Sequence, residues 1–257
     1  MSTLSDNQVT VYEEPVHERI RKFLRIEMLF NRINHLKDKE SEHENYSAAV
    51  ALTELYEMLT RADLKSELIR DLESHNVFFK KIKEKNKPGT DSSKLNSILE
   101  KQESHLSFLY SKDANYLDYL DRDELFQTLI KYSKNSIHPS SLIYWLSRDN
   151  VSRENQINLW LEPINFISQS VSFLLTTIRK SVTPIDQLAK NGFFTDKLDS
   201  KRNILLIRVA LTSDHYFFPS ISVGKQRFSI RFMTKNDENK FIPHKLDVEF
   251  FLSCCSM

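Results

Sequence analysis

Glycine is almost absent from this chain, which holds only Gly89, Gly192 and Gly224 among its 257 residues. A chain of this length with average composition would hold about 18. Because the three glycines are isolated, no G-x-G-x-x-G or G-x-x-x-x-G-K-[ST] phosphate loop and no G-x-S-x-G nucleophile elbow can be written. The sequence therefore excludes nucleotide-binding folds that wrap phosphate in backbone amides, and hydrolases built on that elbow.

The segment between Pro15 and Pro88 contains neither proline nor glycine, and its apolar residues recur at helical spacing. Turn residues at 86–90 are followed by Asp91 at an N-cap position, which predicts the start of a further helix. Along this part of the chain, helices are predicted within 16–33, 52–59, 64–82 and 91–109. We expect the third and fourth to form an antiparallel hairpin with narrow apolar seams.

The second half of the chain changes its apolar period after Pro184, from 3.6 to 2. Before that point, helices are predicted over 117–132, 141–146 and 157–178. Pro163 interrupts the last of these and is expected to kink or split it. After that point, strands are predicted over 203–212, 227–233 and 246–252.

These elements predict an α+β fold in which an N-terminal helical domain precedes an antiparallel sheet. The helical domain is expected to span residues 16–182, with its hairpin turning at 86–90, and the mainly antiparallel β domain residues 183–257. Residues 8–14 alternate briefly between apolar and polar, so we expect a short N-terminal strand that joins the β domain.

Net charge, the length of apolar runs and the spacing of cysteines exclude several classes of function. The net charge of +1 indicates that the protein as a whole does not bind nucleic acid electrostatically. No signal peptide or apolar run long enough to span a membrane is present, so we expect a cytoplasmic protein. Cys254 and Cys255 are adjacent and no histidine pair has ligand spacing, so neither a zinc site nor a thiol enzyme is predicted. The two cysteines are interpreted as small residues ending a strand.

The segment 227–233 contains the candidate functional residues. Strict alternation places Phe228 and its apolar neighbours on one face and Arg227 and Arg231 on the other, with Arg208 at a similar polar position in its own strand. Two interpretations remain open at this point. The arginines either pair across strands with the acids of 246–252, Asp247 and Glu249, or form a basic face that recognises carboxylates through bidentate contacts.

Several segments together resemble the ZapD family of bacterial cell-division proteins. They follow the family's order over nearly the whole chain. They are Pro15-Val16-His17-Glu18 to Leu24-Arg25-Ile26-Glu27, Arg153 to Trp160, Asn191-Gly192-Phe193, Arg227-Phe228-Ser229-Ile230-Arg231-Phe232-Met233, Leu246-Asp247 and the terminal Cys-Cys pair. The R-F-x-I-R-F-M segment combined with the paired cysteines is the most specific part of this resemblance.

The resemblance implies a cytoplasmic, non-enzymatic protein of the mid-cell division ring, with no cofactor. Members of the family are homodimers that bind the C-terminal tail of FtsZ and bundle its filaments during septation. The family's basic residues implicated in that contact correspond here to Arg25, Arg61, Arg227 and Arg231. Neither nucleic-acid binding nor membrane insertion is implied.

The sequence also bears on the oligomeric state and on one alternative function. The surplus of apolar helix surface favours a homodimer whose interface lies in the helical half. The alternative function is a nucleic-acid-binding module that uses the basic sheet face, but the aromatic residues of 227–233 alternate away from its arginines, whereas stacking needs both on one surface. Basic family positions in the fifth helix are acidic here, around Asp121 and Glu124.

Overall fold

A computed structural model describes residues 9–61, 63–85, 92–111, 116–133, 137–199, 203–212 and 215–256. The chain divides into two compact units. The first, Lys22–Leu175, is here called the helical unit. The second combines Met1–Arg21 with Thr176–Met257 and is called the β unit.

The helices follow one another over the first 180 residues, as the spacing of apolar residues predicted. Within the described residues they are α1 Glu18–Leu36, α2 Glu42–Leu59, α3 Leu64–Lys85, α4 Ser92–Ser111, α5 Asp118–Arg122, α6 Glu124–Tyr132, α7 Ser140–Leu146, α8 Asn150–Leu161 and α9 Asn165–Arg179. A 3-10 turn, Glu162–Ile164, separates α8 from α9 and contains Pro163. The predicted interruption by that proline is therefore confirmed.

One helix prediction was wrong. Residues 117–132 were expected to form a single helix, but α5 ends at Arg122 and α6 starts at Glu124. Asp123 between them is extended, and its side chain accepts a hydrogen bond from the Phe126 N–H at 2.8 Å. The aspartate is thus an N-cap, which starts a new helix where the apolar pattern alone indicated continuation.

The helical unit has an aromatic core. Trp160 is fully buried and lies 5.4 Å from the Phe126 ring and 5.7 Å from the Trp145 ring, measured between centroids. Helices α3 and α4 run in opposite directions against each other, with Lys80 Nζ 3.0 Å from the carboxylate of Glu103. The turn predicted at 86–90 lies outside the described residues.

The strands form two antiparallel sheets, whereas the sequence predicted one. Within the described residues they are β1 Val9–Pro15, β2 Ile185–Ala189, β3 Phe193–Lys197, β4 Ile204–Thr212, β5 Phe217–Val223, β6 Arg227–Lys235, β7 Phe241–Pro243 and β8 Val248–Ser256. Sheet A has the order β1-β4-β8-β2, and sheet B the order β3-β6-β5, with β7 also paired to β6. The α+β class is confirmed.

The N-terminal strand joins the β unit as predicted. β1 pairs with β4 along its whole length, from Val9 opposite Thr212 to Pro15 opposite Leu206. Inward side chains of both sheets, among them Val209, Phe228 and Phe250, share one hydrophobic cluster. The apolar half of each alternating strand is therefore buried inside the β unit, which leaves the polar half outside.

The turn between β2 and β3 connects the two sheets and depends on a glycine. Gly192 has φ +69°, and a Cβ at this position would lie 2.2 Å from the carbonyl oxygen of His244. Asn191 beside it also has a positive φ, of 50°. Only a residue without a side chain fits this close approach.

The last strand contains both cysteines, as predicted, and both are free thiols. Cys255 is buried, and burial raises its pKa to about 11. A thiol with such a pKa is inert near neutral pH, which agrees with a structural role. Among the helices of the described residues, none is long and apolar enough to cross a membrane.

Candidate partner-binding face

The outer side of sheet B displays the arginines singled out from the sequence. Along β6, Phe228, Ile230 and Phe232 are buried, whereas Arg227 and Arg231 are exposed. The predicted alternation of this strand is confirmed. It occurs because a strand directs successive side chains to opposite sides, and only one side meets the hydrophobic cluster.

Neighbouring strands complete this outer surface, since residues opposite each other in an antiparallel pair share a face. We call the surface the arginine face. It comprises Phe193, Thr195 and Lys197 of β3, Phe218, Ser220 and Ser222 of β5, Arg227, Ser229, Arg231, Met233 and Lys235 of β6, and Phe241 and Pro243 of β7. Its strand residues include four cations and no acid.

Cations and aromatic rings are adjacent on the arginine face. The Cζ atom of Arg231 lies 5.4 Å from the ring centroid of Phe193, which is a cation–π contact. Phe218 and Phe241 pack edge to face, with centroids 5.0 Å apart. The surface can therefore hold an anionic group and an apolar side chain next to each other.

The proposed pairing of the arginines with Asp247 and Glu249 was wrong. Glu249 lies on β8 of sheet A, opposite Leu188, whereas the arginines lie on sheet B. Asp247 precedes β8, and its carboxylate accepts a 2.7 Å hydrogen bond from the Asn191 N–H. Among the described residues, Arg227 and Arg231 form no ion pair.

The expectation that the aromatic residues of 227–233 point away from the arginines is confirmed, but it does not describe the whole arginine face. It holds for Phe228 and Phe232 of the same strand, which are buried. Phe193, however, is 41% exposed and lies directly opposite Arg231. Phe193 and Lys197 do not stand out in the sequence, because β3 is only five residues long and mostly exposed and so has no inward apolar run.

Arg208 does not belong to the arginine face. Its Nε donates a 2.8 Å hydrogen bond to Glu13 on β1. The same carboxylate accepts two 2.8 Å hydrogen bonds from Arg179. Burial raises the pKa of Glu13, but the hydrogen bonds and charges of the two arginines outweigh burial and leave that pKa below its ordinary value. These three side chains form an ion-pair network inside the β unit.

Arg25 and Arg61 belong to the helical unit. Arg25 on α1 is half exposed and lies 2.6 Å from the carboxylate of Glu54 on α2. Arg61 follows α2 and is exposed. The Lys22 ammonium contacts the Asp63 carboxylate at 2.7 Å, and this hydrogen bond, with a smaller contribution from Arg61, lowers the pKa of Asp63. Arg25 is thus partly neutralised, whereas Arg61 forms no ion pair with any described residue.

The acidic positions around α5 and α6, Asp121 and Glu124, differ in their surroundings. Asp121 accepts a short hydrogen bond from the Tyr56 hydroxyl. Burial, together with this contact, raises the pKa of Tyr56 to about 12. Glu124 is the first residue of α6, where a negative charge favours the helix dipole. In the part of the chain that the structure describes, no group of three His, Cys, Asp or Glu side chains could hold a metal ion.

Comparison with known proteins identifies the family. The ZapD family model, described as a cell division protein, matches residues 24–231. The cell division protein ZapD of Methylococcus capsulatus (strain Bath) is similar to this chain, at 29% identity over 254 residues. That alignment covers 97% of this chain and 98% of the relative. The chain belongs to the ZapD family of cell division proteins.

Proposed function

We propose that this protein is a non-enzymatic cell-division factor that binds the C-terminal tail of FtsZ and crosslinks FtsZ filaments at the cytoplasmic division ring. Membership of the ZapD family supports the cell-division role. The observation that carries the proposal is the arginine face, where Arg227 and Arg231 are exposed and have no acidic partner among the described residues. We propose that Arg25 and Arg61 of the helical unit also contribute to tail binding.

The chemistry of the arginine face suits a tail peptide with both acidic and apolar side chains. A guanidinium binds a carboxylate through two parallel hydrogen bonds, and such charge-assisted bonds are about twice as strong as neutral ones. Phe193 and Phe218 offer apolar surface next to these cations. Because the face is open, a single contact of this kind is expected to be weak and exchangeable.

Crosslinking requires two tail sites in one particle, which a homodimer supplies. Once one tail of a filament is bound, the second site meets neighbouring tails at high effective concentration. Avidity thereby converts weak single contacts into bundling. Neither a cofactor nor a catalytic residue is needed for this activity.

The proposal is tested with a fluorescent FtsZ tail peptide and two double variants of equal charge change. Arg227→Ala with Arg231→Ala should abolish detectable binding. The matched control, Arg122→Ala with Lys240→Ala, also removes two cations, but both already contact acids, at 3.2 and 2.7 Å. It should bind as the unaltered protein does. Equal affinity in both double variants would exclude the arginine face as the tail site.

The contribution of the helical unit is measured separately. Arg25→Ala with Arg61→Ala should weaken tail binding, and the loss should come mainly from Arg61, since Arg25 is held by Glu54. Co-sedimentation with FtsZ filaments that lack the tail should give no bundles with any variant. Bundling of tailless filaments would contradict tail recognition.

A nucleic-acid-binding module is the second candidate. It is favoured by the contact between Arg231 and Phe193, because exposed aromatic rings beside arginines are what single strands stack on. The net charge of +1 disfavours it. A labelled single-stranded oligonucleotide should not bind at 0.15 M salt, nor should it compete with the tail peptide. Micromolar competition would favour this second function.

A further inference from the structure

The backbone of β3 has a fixed direction of hydrogen bonding at the edge of sheet B. The Phe232 N–H donates to the Gly192 carbonyl at 2.8 Å, and the Leu198 N–H donates to the Gln226 carbonyl at 2.9 Å. In an antiparallel pair, alternate residues bond to the partner strand. The N–H and C=O groups of the even-numbered residues of β3 therefore point toward β6. Those of Phe193, Thr195 and Lys197 point away from the sheet.

Of these three outward amides, only that of Thr195 is available. The Phe193 N–H donates to the Lys190 carbonyl at 3.0 Å, and the Lys197 N–H donates to the Asp196 carboxylate at 2.7 Å. The Thr195 N–H has no acceptor among the described residues. The Thr195 hydroxyl donates to the Phe228 carbonyl at 3.0 Å, so the side chain is held toward β6.

The opposite edge of sheet B is protected. The Gly224 N–H donates to the Arg227 carbonyl at 2.9 Å, which sets the odd-numbered residues of β6 toward β5. Phe218, Ser220 and Ser222 pair with them. The backbone nitrogen of Pro219 therefore points away from β6, toward the free edge of β5. A proline there offers no N–H to an added strand, which is a common way to prevent strand addition. The edge formed by β3 has no such block.

Charge around the β3 edge favours an anionic occupant. A cleft of about 620 Å³ adjoins the edge and is lined by Thr195, Asp196, Lys197, Leu198, Gln226 and Arg227. Its two cations outnumber its one acid, and that acid is engaged by the Lys197 amide. By contrast, the edge strands of sheet A carry Glu13 and Glu14 on β1 and Asp186 on β2.

We infer that an extended acidic segment adds to β3 as a new edge strand, hydrogen-bonded to the backbone of Thr195. The inference rests on the proposed function, in which this segment is the FtsZ tail. An added strand would lie about 4.8 Å from β3, with alternate side chains on the arginine face. Its carboxylates would then lie beside Lys197, and roughly 10 Å from Arg231 on the second strand, within reach of a long guanidinium side chain.

Strand addition explains how so open a surface could select one segment. Main-chain hydrogen bonds supply affinity that does not depend on side chains, while alternate side chains supply specificity. The cations alone would attract any acidic peptide. The Thr195 donor adds the requirement that the peptide be extended and in register.

The test compares two substitutions at one position. Thr195→Pro removes the outward N–H, whereas Thr195→Ala keeps it and removes only the hydroxyl contact with Phe228. Pro219 shows that this sheet accommodates proline at an outward edge position. We expect Thr195→Ala to bind the tail peptide within about twofold of the unaltered protein and Thr195→Pro to bind about tenfold more weakly. Circular dichroism and thermal melting confirm that both variants fold.

Two measurements on the unaltered protein make the test independent of folding. Hydrogen exchange of the Thr195 amide should slow when the peptide is added. Peptides methylated at alternate backbone nitrogens should lose affinity in one of the two alternations only. If neither effect appears while Arg227→Ala with Arg231→Ala still abolishes binding, strand addition is wrong and the proposed function stands. If the unaltered protein binds no tail peptide, both are wrong.

Discussion

The guanidinium of Arg153 donates a 2.6 Å hydrogen bond to the side-chain oxygen of Asn45, 108 residues earlier, and both side chains are buried. Other donors of the pair reach backbone carbonyls. Asn45 contacts those of Leu36, Lys37 and Lys39, and Arg153 those of Glu40, Leu146 and Arg148. The pair thus fastens the α1–α2 loop to the start of α8 with no carboxylate involved.

Replacing Arg153 by Met should destabilise the protein by about 2–4 kcal/mol, because several buried acceptors lose their donor at once. Urea denaturation followed by circular dichroism measures the change. Arg122→Met is the matched control, since that side chain is 82% exposed and its removal should leave the midpoint nearly unchanged. Equal midpoints for the two variants would contradict a structural role of Arg153.

The Glu13 network should make stability depend on pH. The pKa of Glu13 is lower in the folded protein than its ordinary value of 4.5. The contribution of Glu13 to the free energy of unfolding is therefore complete above the pKa that Glu13 has in the unfolded chain. It is lost as the pH falls through the pKa that Glu13 has in the folded protein. Glu13→Gln should lower the melting temperature at pH 7, and the difference from the unaltered protein should shrink toward pH 3. Glu14→Gln, on the same strand, is the control, and a gap that stays constant with pH would contradict the prediction.

Gly192→Ala should destabilise the β unit more than Gly224→Ala does. The first substitution combines a positive φ, which costs about 1–2 kcal/mol, with a Cβ placed 2.2 Å from a carbonyl oxygen. At Gly224 the nearest atom would be 3.3 Å away. Thermal melts of the two variants give the comparison directly. A tolerated Gly192→Ala would mean that the β2–β3 turn is not held against His244.

Bundling should weaken steeply as salt rises. The Debye length falls from about 10 Å at 0.1 M to about 3 Å at 1 M, which screens contacts between arginines and carboxylates. A modest loss at each site multiplies over the two sites of a dimer. Turbidity and pelleting measure bundling from roughly 50 to 500 mM KCl, a range that lies on both sides of 0.1 M. Filament assembly is followed separately. Bundling that stays flat while filaments persist would exclude the arginines as the principal contact.

The protein should sediment as a dimer at micromolar concentration. One chain has a mass of 30.3 kDa, so the expected species has twice that mass. We propose an interface in the helical unit, where Val77, Phe78 and Phe108 of α3 and α4 remain exposed. Phe78→Glu with Phe108→Glu should shift the protein toward monomers in analytical ultracentrifugation. A monomer in the unaltered protein would contradict the crosslinking mechanism.

The sequence predicted those elements whose apolar pattern is long or strict. β6 alternates over nine residues and was located within two of its end. β2, β3 and β7 were missed because each has five residues or fewer and is largely exposed. β5 was missed because its seven residues contain Pro219, which argues against a strand. Short exposed strands are held by their neighbours, so their own residues carry little signal.

The candidate site was predictable only in part for the same reason. Arg227 and Arg231 stand out in the alternation of β6, but their neighbours are decided by strand register. Placing Phe193 rather than Glu249 beside Arg231 requires knowing that β6 and β8 belong to different sheets. Whether the four arginines bind the tail stays a prediction.

The pairing of β1 with β4 has a consequence for synthesis of the chain. Glu13 and its partner Arg208 are separated by 195 residues, so the first strand leaves the ribosome long before the strand it must join. At about 5–20 residues per second, that delay is roughly 10–40 s. During this time the helical unit, whose residues are contiguous, is free to fold, while the amino-terminal strand waits without a partner. Sheet A therefore cannot form fully until β4 has been synthesised, which happens after all residues of the helical unit have been synthesised.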